Sequence, residues 1–473
     1  MQSKKLFSII IAGTLAATLF SACSTYPDRA NKLRNACNEQ NYEQAVKLAN
    51  DQVKSASEND KLQWQLDYAN CLRLNNDLKN ASLAWDDAEK TFNYWDEKAD
   101  VLISQEIAAG ISNLSALPYR GHNIDRIMLH TFRALTFLQL NDVPAARTAL
   151  NAAYREQQLA ADRNAKQIEK AKADAKKNKV DQHALDEQNR IIDKRLIADS
   201  QNDFQFDVYA DYVNPFTTWL YGIYFLHAAT DAGDIERSRN ALSRVDKMVP
   251  NNPAIEADLK LIANGAKLDV PVTYVIYEYG KIANLREWRL DLLLPIAGTL
   301  APSSIALPRV NCPKFNKKTS HAHNYEIPQM SANGNAANLV CDMNRVWVTE
   351  FHNGYPSIIF RTLTAAFTKT AVSVAANAVA KESGNDLAYL ATLVGTSIYT
   401  LGSSGADLRV WQTLPRSFSI TRMPTPNDKK IKLNIAGHES TIDVPNAKVA
   451  VVYVVLESFM RPPQVRTFVL KTK

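Results

Sequence analysis

The sequence reads as an α+β protein: an N-terminal α-helical repeat domain followed by a β-rich, sandwich-like domain with an inserted helical hairpin. Three observations predict this. From about Asn31 to Leu261 apolar residues recur at helical spacing, and four similar turn-and-helix blocks align with one another. After Pro271 the hydrophobic period falls towards two, the spacing of strands. Inside that half, Leu363–Ala380 and Leu387–Leu401 are rich in Ala, Val, Thr and Ser and read as helices. At 473 residues and 46% hydrophobic content the chain is folded and large enough for two cores. A mean hydropathy of -0.27 excludes a multi-spanning membrane protein. The 55 Lys+Arg against 49 Asp+Glu give a thinly spread +6, which is no nucleic-acid footprint.

The first 22 residues read as a leader. Lys4 and Lys5 form a positive n-region, and Leu6–Phe20 is a 15-residue apolar stretch, short for a membrane span. Phe20-Ser21-Ala22-Cys23 resembles the lipobox of bacterial lipoproteins, with Phe where Leu is usual. That resemblance implies a diacylglycerol thioether and an N-acyl chain (palmitate class) on Cys23, with cleavage just before it. Several acyl chains give stable anchoring at about 0.8 kcal/mol per buried CH₂. The competing reading is a plain cleaved signal with an incidental Cys. Ser24 is not the Asp that retains many lipoproteins at the inner membrane, so the implied address is the outer membrane, facing the periplasm. Removing the leader takes Lys4 and Lys5 and lowers +6 to +4.

The helical half, 23–267, carries the four blocks NYEQAVKLA from Asn41, DLKNASLAWDDA from Asp77, DVPAARTALNAA from Asp142 and DIERSRNALSRV from Asp234. Aligned on their turns, they place small residues at Ala45, Ala81, Ala146 and Ser238, and Ala49, Trp85, Leu150 and Leu242 four positions later. The fourth block continues to Pro250. This pattern resembles the second helix of tetratricopeptide (TPR) repeats, where the small residue permits close helix approach and the next apolar one fills the seam. The anchors stand 36, 65 and 92 residues apart, against about 34 in a tight array. The second gap leaves room for a further degenerate pair around Asp100–Leu117, and the third holds an insertion. From Ala145 to Asn214 there is neither Gly nor Pro, and Arg155–Arg195 interleaves 11 Lys/Arg with 8 Asp/Glu. That suits a long solvated helix, or a helical hairpin near 155–200 with a hinge at Lys176–Val180. It reads either as an extension of repeat helices or as an arm reaching a partner or an anionic surface.

In the second half, 268–473, strands are expected at Val272–Tyr279, Arg289–Pro295, Arg345–Thr349, Ser417–Arg422, Lys430–Asn434, Thr441–Val444, Val449–Leu456 and Val465–Leu470. Ala436-Gly437-His438 marks a hairpin turn. The helical hairpin near 360–401 is expected to be buried over the sheet; membrane insertion of Leu363–Leu401 is the alternative.

Candidate chemistry is sparse. His321 and His323 with Cys312 and Cys341 match no compact zinc template, so a Cys312–Cys341 disulfide closing a 30-residue loop is preferred and no metal is expected. Cys37 and Cys71, 34 residues apart on neighbouring first helices, are a second candidate pair, although equal positions in stacked repeats are often too distant to bridge. No zincin helix, nucleophile elbow or phosphate loop occurs, and Asp407, Arg409 and Trp411 read by default as buried packing or ion-pair residues.

The segments Tyr119-Arg120-Gly121-His122-Asn123-Ile124-Asp125-Arg126, Leu129–Ala134 and Ala406–Trp411 resemble an uncharacterised family of bacterial TPR-like lipoproteins with a C-terminal β-rich domain. The resemblance implies no assigned activity. The resulting expectation is a non-enzymatic, lipid-anchored periplasmic scaffold. It would bind cell-envelope proteins of cell-wall synthesis, outer-membrane assembly or export through a groove of stacked helices, with Tyr119, Arg120, His122, Asp125 and Arg126 as contact residues. No cofactor, nucleic acid or small-molecule substrate is expected. The alternatives are a cell-wall-acting enzyme and a membrane-perturbing protein using 363–401.

Overall fold

The computed structural model describes residues 26–108, 117–178, 180–200, 209, 212–296, 298–310, 327–402, 405–458 and 461–471. Cys23, Cys312, His321 and His323 lie outside the described residues.

The helices come in antiparallel pairs: α1 (Tyr26–Asn38) with α2 (Tyr42–Ser55), α3 (Glu58–Leu74) with α4 (Leu78–Ala108), and α5 (Asn123–Gln139) with α6 (Val143–Lys177). After α7 (Gln182–Ser200) come α8 (Pro215–His227), its partner α9 (Ala232–Met248) and α10 (Pro253–Ala263). The first three pairs turn through the same device. Gln40, Asn76 and Asn141 each take φ near +60°. In each turn the next amide reaches back to a carbonyl five residues earlier, at Ala36, Leu72 and Phe137. That closes a left-handed helix stop. The same next residue, Asn41, Asp77 or Asp142, then caps the second helix through its side-chain oxygen. The fourth second helix is capped by Asp231 instead. Ala45, Ala81, Ala146 and Ser238 are all fully buried, as are Ala49, Trp85, Leu150 and Leu242. The aligned blocks therefore mark real TPR-like helix seams.

Two expectations change here. Of the segment Asp100–Leu117, read as room for a further helix pair, Asp100–Ala108 is the end of the 31-residue α4, and 109–116 lie outside the described residues. The charged insertion is a hairpin, α6 to α7, and it does not project freely: it lies along the later helix α11, with Ala171, Ala175, Leu185 and Ile192 buried.

The strands are β1 (Val272–Tyr279), β2 (Leu285–Ile296), β3 (Thr299–Val310), β4 (Met330–Ala332), β5 (Asn335–Ala336) and β6 (Asn338–Asp342). The helices α11 (Met343–Glu382) and α12 (Asp386–Gly402) follow, then β7 (Ser417–Pro424), β8 (Lys430–Ile435), β9 (His438–Asp443), β10 (Val449–Leu456) and β11 (Gln464–Lys471). A five-stranded mixed sheet, β11-β10-β1-β7-β6, is the central layer, with β1 and β10 parallel. Val275, Tyr277, Val452 and Val454 on one face pack against Ile431, Leu433 and Ile435 of the four-stranded sheet β5-β4-β8-β9. Tyr274, Ile276, Val451 and Tyr453 on the other face join a cluster with Trp85, Phe132 and Trp219 of the helices. Burial on both faces explains the unbroken apolar runs of β1 and β10. The helical and β-rich halves thus share one core.

The strand expected at Arg345–Thr349 is instead the first turn of α11. Asp342 caps it, accepting from the amides of Asn344 at 2.9 Å and Arg345 at 3.3 Å. Val346, Trp347 and Val348 have strand propensity, but Met343, Trp347, Phe351 and Tyr355 bury one helical face, and packing overrides propensity. The hairpin at 363–401 is also only half covered. One face of α11 is buried as far as Ser373, whereas Val372, Val379, Leu387 and Leu390 stand in solvent, Leu387 at 79% exposure.

Candidate recognition cleft

In a TPR-like array the first helices line the inner face, the surface such arrays offer to partners. Here that face is occupied by the chain's own second half. The loop Ala406–Arg416 lies along it. Asp67 Oδ1 accepts from the Thr413 amide and hydroxyl, both at 3.0 Å, and Asn70 donates to the Thr413 carbonyl at 2.9 Å. Tyr26 accepts from Gln412 Nε2 at 2.7 Å, and Trp411 packs between Trp85 and Phe132. Further along, Arg73 donates a bidentate pair to Glu278 of β1 at 2.7 and 3.0 Å, and Tyr453 adds a short hydrogen bond to the same carboxylate. Tyr274 and Arg422 both donate to Asp258, at 2.6 and 2.7 Å.

Among the described residues a cleft stays open where the α4–α5 connection meets α6 and α11. The connection is tied down first: Tyr119 donates its amide to the Asn59 carbonyl at 2.7 Å, and Arg409 donates to the Leu117 carbonyl at 2.7 Å. Arg409 is itself paired with Asp60 and Asp407, so this triad is structural, as its residue types implied. Gly121 follows at φ +72°, and a Cβ there would fall 2.3 Å from Phe92 Cε1, so this turn needs glycine on both counts. Helix α5 then begins, with Asp125 Oδ2 accepting from the His122 amide at 2.8 Å and the Tyr119 hydroxyl at 2.6 Å. Burial raises the Asp125 carboxyl, against the pull of His122 and Tyr119. Burial likewise raises the Tyr119 hydroxyl.

Tyr119 and Asp125 are therefore buried and hold the turn, Tyr119 at the wall of the smaller chamber, whereas Arg120, His122 and Arg126 line the cleft. Arg126 forks onto Asp96 at 2.7 and 2.8 Å. The far wall comes from α11: Glu350 accepts from the Asn123 amide and side chain at 2.9 and 3.1 Å, and the His122 ring stands edge-on to Trp347 with centroids 4.7 Å apart. Arg163, Lys166, Gln167 and Lys170 bring one face of α6 to the cleft. The cavity has two adjoining chambers of about 430 and 210 Å³, sharing Arg120, His122, Lys170, Phe351 and Ile358.

Of the residues singled out from the sequence, Arg120, His122 and Arg126 line one wall; those of the other walls were not singled out. The signal on α6 was present as the i, i+3, i+4, i+7 spacing of Arg163, Lys166, Gln167 and Lys170 inside a segment read as a solvated face. The α11 wall, from Glu350 to Arg361, begins just after the segment read as a strand and was not singled out.

The cysteines fall in two places. Cys37 and Cys71 are free thiols, fully buried in one small cluster with Trp64, and the Cys71 thiol meets that of Cys37 in a hydrogen bond. Cys341 is a buried thiol beside Asn214 and Met343, and burial pushes it up. Among the described residues no group of three His, Cys, Asp or Glu side chains is placed to hold a metal ion.

These features define a TPR-like repeat protein joined to a β-rich domain. Among solved structures the chain is similar to a Podosopora anserina putative kinesin light chain with nearly identical TPR-like repeats, at 12% identity, covering 51% of this chain and 96% of that one with a TM-score of 0.21. It is also similar to a tetratricopeptide repeat protein from Parabacteroides merdae ATCC 43184, at 13% identity, covering 50% and 99% with a TM-score of 0.14. No protein-family model and no curated protein matches the sequence. The repeat assignment rests on the helix pairs themselves.

Proposed function

We propose that the protein is a lipid-anchored scaffold of the cell envelope, tethered to the outer membrane through Cys23 and binding partner proteins with its outward surfaces. One observation carries the reading. The inner face of the helical array is filled, while apolar side chains concentrate where no described residue covers them, on the outer half of the α11–α12 hairpin at Val372, Val379, Leu387 and Leu390 and on the β2–β3 hairpin at Leu293 and Leu300. A set of exposed apolar residues rimmed by the Lys381–Asp386 turn fits an apolar patch on a partner protein. The reading requires no catalytic group.

Photo-crosslinking from position 383, in the exposed turn beside Leu387 and Leu390, in the full chain in cells tests it. Discrete adducts with envelope proteins, lost in Leu387→Asp/Leu390→Asp, are expected; the same labelling in both chains overturns it.

The membrane-perturbing reading draws on the same residues, since α11 is long and apolar enough to cross a bilayer. However, 61% of its most apolar 18-residue stretch is buried within the protein. Carbonate extraction of Cys23→Ala separates the two: release into the soluble fraction favours the scaffold, and retention favours insertion.

A further inference from the structure

We infer that Cys37 and Cys71 are a disulfide-forming pair whose bond staples α1 to α3. Only the oxidant that closes the bond in cells rests on the envelope reading above. Cys37 lies in the last turn of α1 and Cys71 in the last turn of α3, 34 residues further along the chain. Both are fully buried in one cluster with Leu33, Ala36, Ala45, Ala49 and Trp64, and the two thiols meet in a hydrogen bond. A disulfide demands close backbone approach, and the small side chains of this cluster permit it. Among the described residues the remaining cysteine, Cys341, lies elsewhere, beside Asn214 and Met343. The fold therefore sets which thiol meets which.

The chemistry is thiol–disulfide exchange. One cysteine thiolate attacks a disulfide-bearing oxidant and expels one of its thiols. The second cysteine then attacks the mixed disulfide and expels the other. The two cysteines give up two protons and two electrons, and the oxidant's disulfide leaves as two thiols. The thiolate is the nucleophile, and burial raises the Cys71 thiol well above its ordinary value. The exchange therefore runs while the chain folds or when α1 opens locally. Once closed, the bond is shielded from reductants by the same burial.

The staple joins two helices that grip the same loop, Ala406–Arg416. α1 reaches it through Tyr26, which accepts from the Val410 amide at 3.1 Å, and through Arg34, which donates to the Gln412 carbonyl at 3.3 Å. Arg34 also donates to the Ile282 carbonyl at 2.8 Å. α3 reaches the loop through Asp67 and Asn70, both at Thr413. α1 is the first helix of the described array, and the ends of such arrays open most readily. A cross-link that closes the chain around α2 restricts those opened states.

The test begins with purified full-length chain in neutral detergent, reduced in denaturant and refolded in a mixture of oxidised and reduced glutathione. Free thiols are then trapped with N-ethylmaleimide and the cysteine peptides mapped by mass spectrometry. A linked Cys37–Cys71 peptide with Cys341 alkylated is expected. Trypsin reads the staple through Lys32, Lys47 and Lys54, which are exposed on α1 and α2. Cleavage there should be at least about tenfold slower in the oxidised chain than in the reduced one. Cys37→Ser/Cys71→Ser should be cut at the reduced chain's rate in both buffers. Cys37 and Cys71 both alkylated after oxidative refolding, either one linked to a different cysteine, or equal cleavage of the oxidised and reduced wild type overturns the inference. Alkylation inside cells tests the envelope reading separately: a pair closed after refolding but free in cells upholds the pairing and counts against that address.

Discussion

Asp67 gives the most exposed test of how the two halves are joined. It sits on α3 with no solvent exposure, and its Oδ1 receives two hydrogen bonds from Thr413 of the docked loop, while Oδ2 has no partner. Desolvation pushes its carboxyl from 3.8 up to about 7, against the opposing hydrogen bonds from Thr413 and the Arg34 charge. The folded protein therefore holds this proton where the unfolded chain has released it. Stability from this group is fully present below the unfolded value near 4 and is lost as pH rises through about 7. A shift of roughly three units at 1.36 kcal/mol each makes the loss about 4 kcal/mol. In Asp67→Asn the Oδ1 acceptor remains and nothing titrates. Urea unfolding of both chains between pH 4.5 and 8.5 should show the variant gaining on the wild type by about 3 kcal/mol across that range, the first part of the loss falling below pH 4.5, whatever constant offset its extra amide donors introduce. A difference that stays flat within about 1 kcal/mol, or that moves the other way, refutes the argument that an unpaired buried carboxylate sits in this joint.

Two further substitutions probe the same architecture. Arg73→Leu strands the Glu278 carboxylate, which desolvation would raise but which Arg73, with Tyr453 and Lys281, holds below its ordinary value. It should cost about 3–5 kcal/mol, whereas Arg73→Leu/Glu278→Leu should recover most of the loss; denaturant midpoints of the three chains decide, and no recovery in the double variant counts against the pair. Gly222→Ala on α8 would bring a methyl within 2.8 Å of Leu242 carbons on α9, where Ser238 also donates to the Gly222 carbonyl at 2.8 Å. About 1–3 kcal/mol of destabilisation is expected, read as a lowered melting temperature, and Gly222→Ala/Leu242→Ala should separate overpacking from backbone effects.

The parts of this molecule that were legible in the sequence are those set by neighbours along the chain. The small residues at Ala45, Ala81, Ala146 and Ser238 announce close helix approach because a four-residue spacing on a helix is one face. Val272–Tyr279 and Val449–Leu456 announce strands because both alternate faces are apolar, and the structure places both strands at those bounds. The positive-φ turn residues at Ala436 and Gly437 likewise follow from a two-residue hairpin. Local reasoning failed at Arg345–Thr349, where Asp342 and the core outvoted the propensity of Val346 and Val348. It failed more completely at the cleft. Tyr119–Arg126 supplies one wall, yet Glu350 and Arg361 arrive from more than 200 residues later, and no local pattern encodes that meeting.

The filling of the inner face bears on any account of partner binding. A peptide that entered there would have to displace Ala406–Arg416, and the groups left behind are specific. Asp67 and Asn70 would lose Thr413, Tyr26 would lose Gln412, and Arg409 would leave Asp60 and the carbonyls of Asn59 and Leu117. At about 1–3 kcal/mol for each buried polar group left unsatisfied, the incoming segment would need to replace nearly all of these contacts before gaining anything. Trp411 would also have to leave its place between Trp85 and Phe132, a further cost in buried aromatic area. Among the described residues, open concave or exposed apolar surface remains at the α5–α6–α11 cleft and on the outer half of the α11–α12 hairpin. Both depend on α11: Glu350, Phe351 and Ile358 near its start form a wall of the cleft, and Val372 and Val379 near its end stand in solvent.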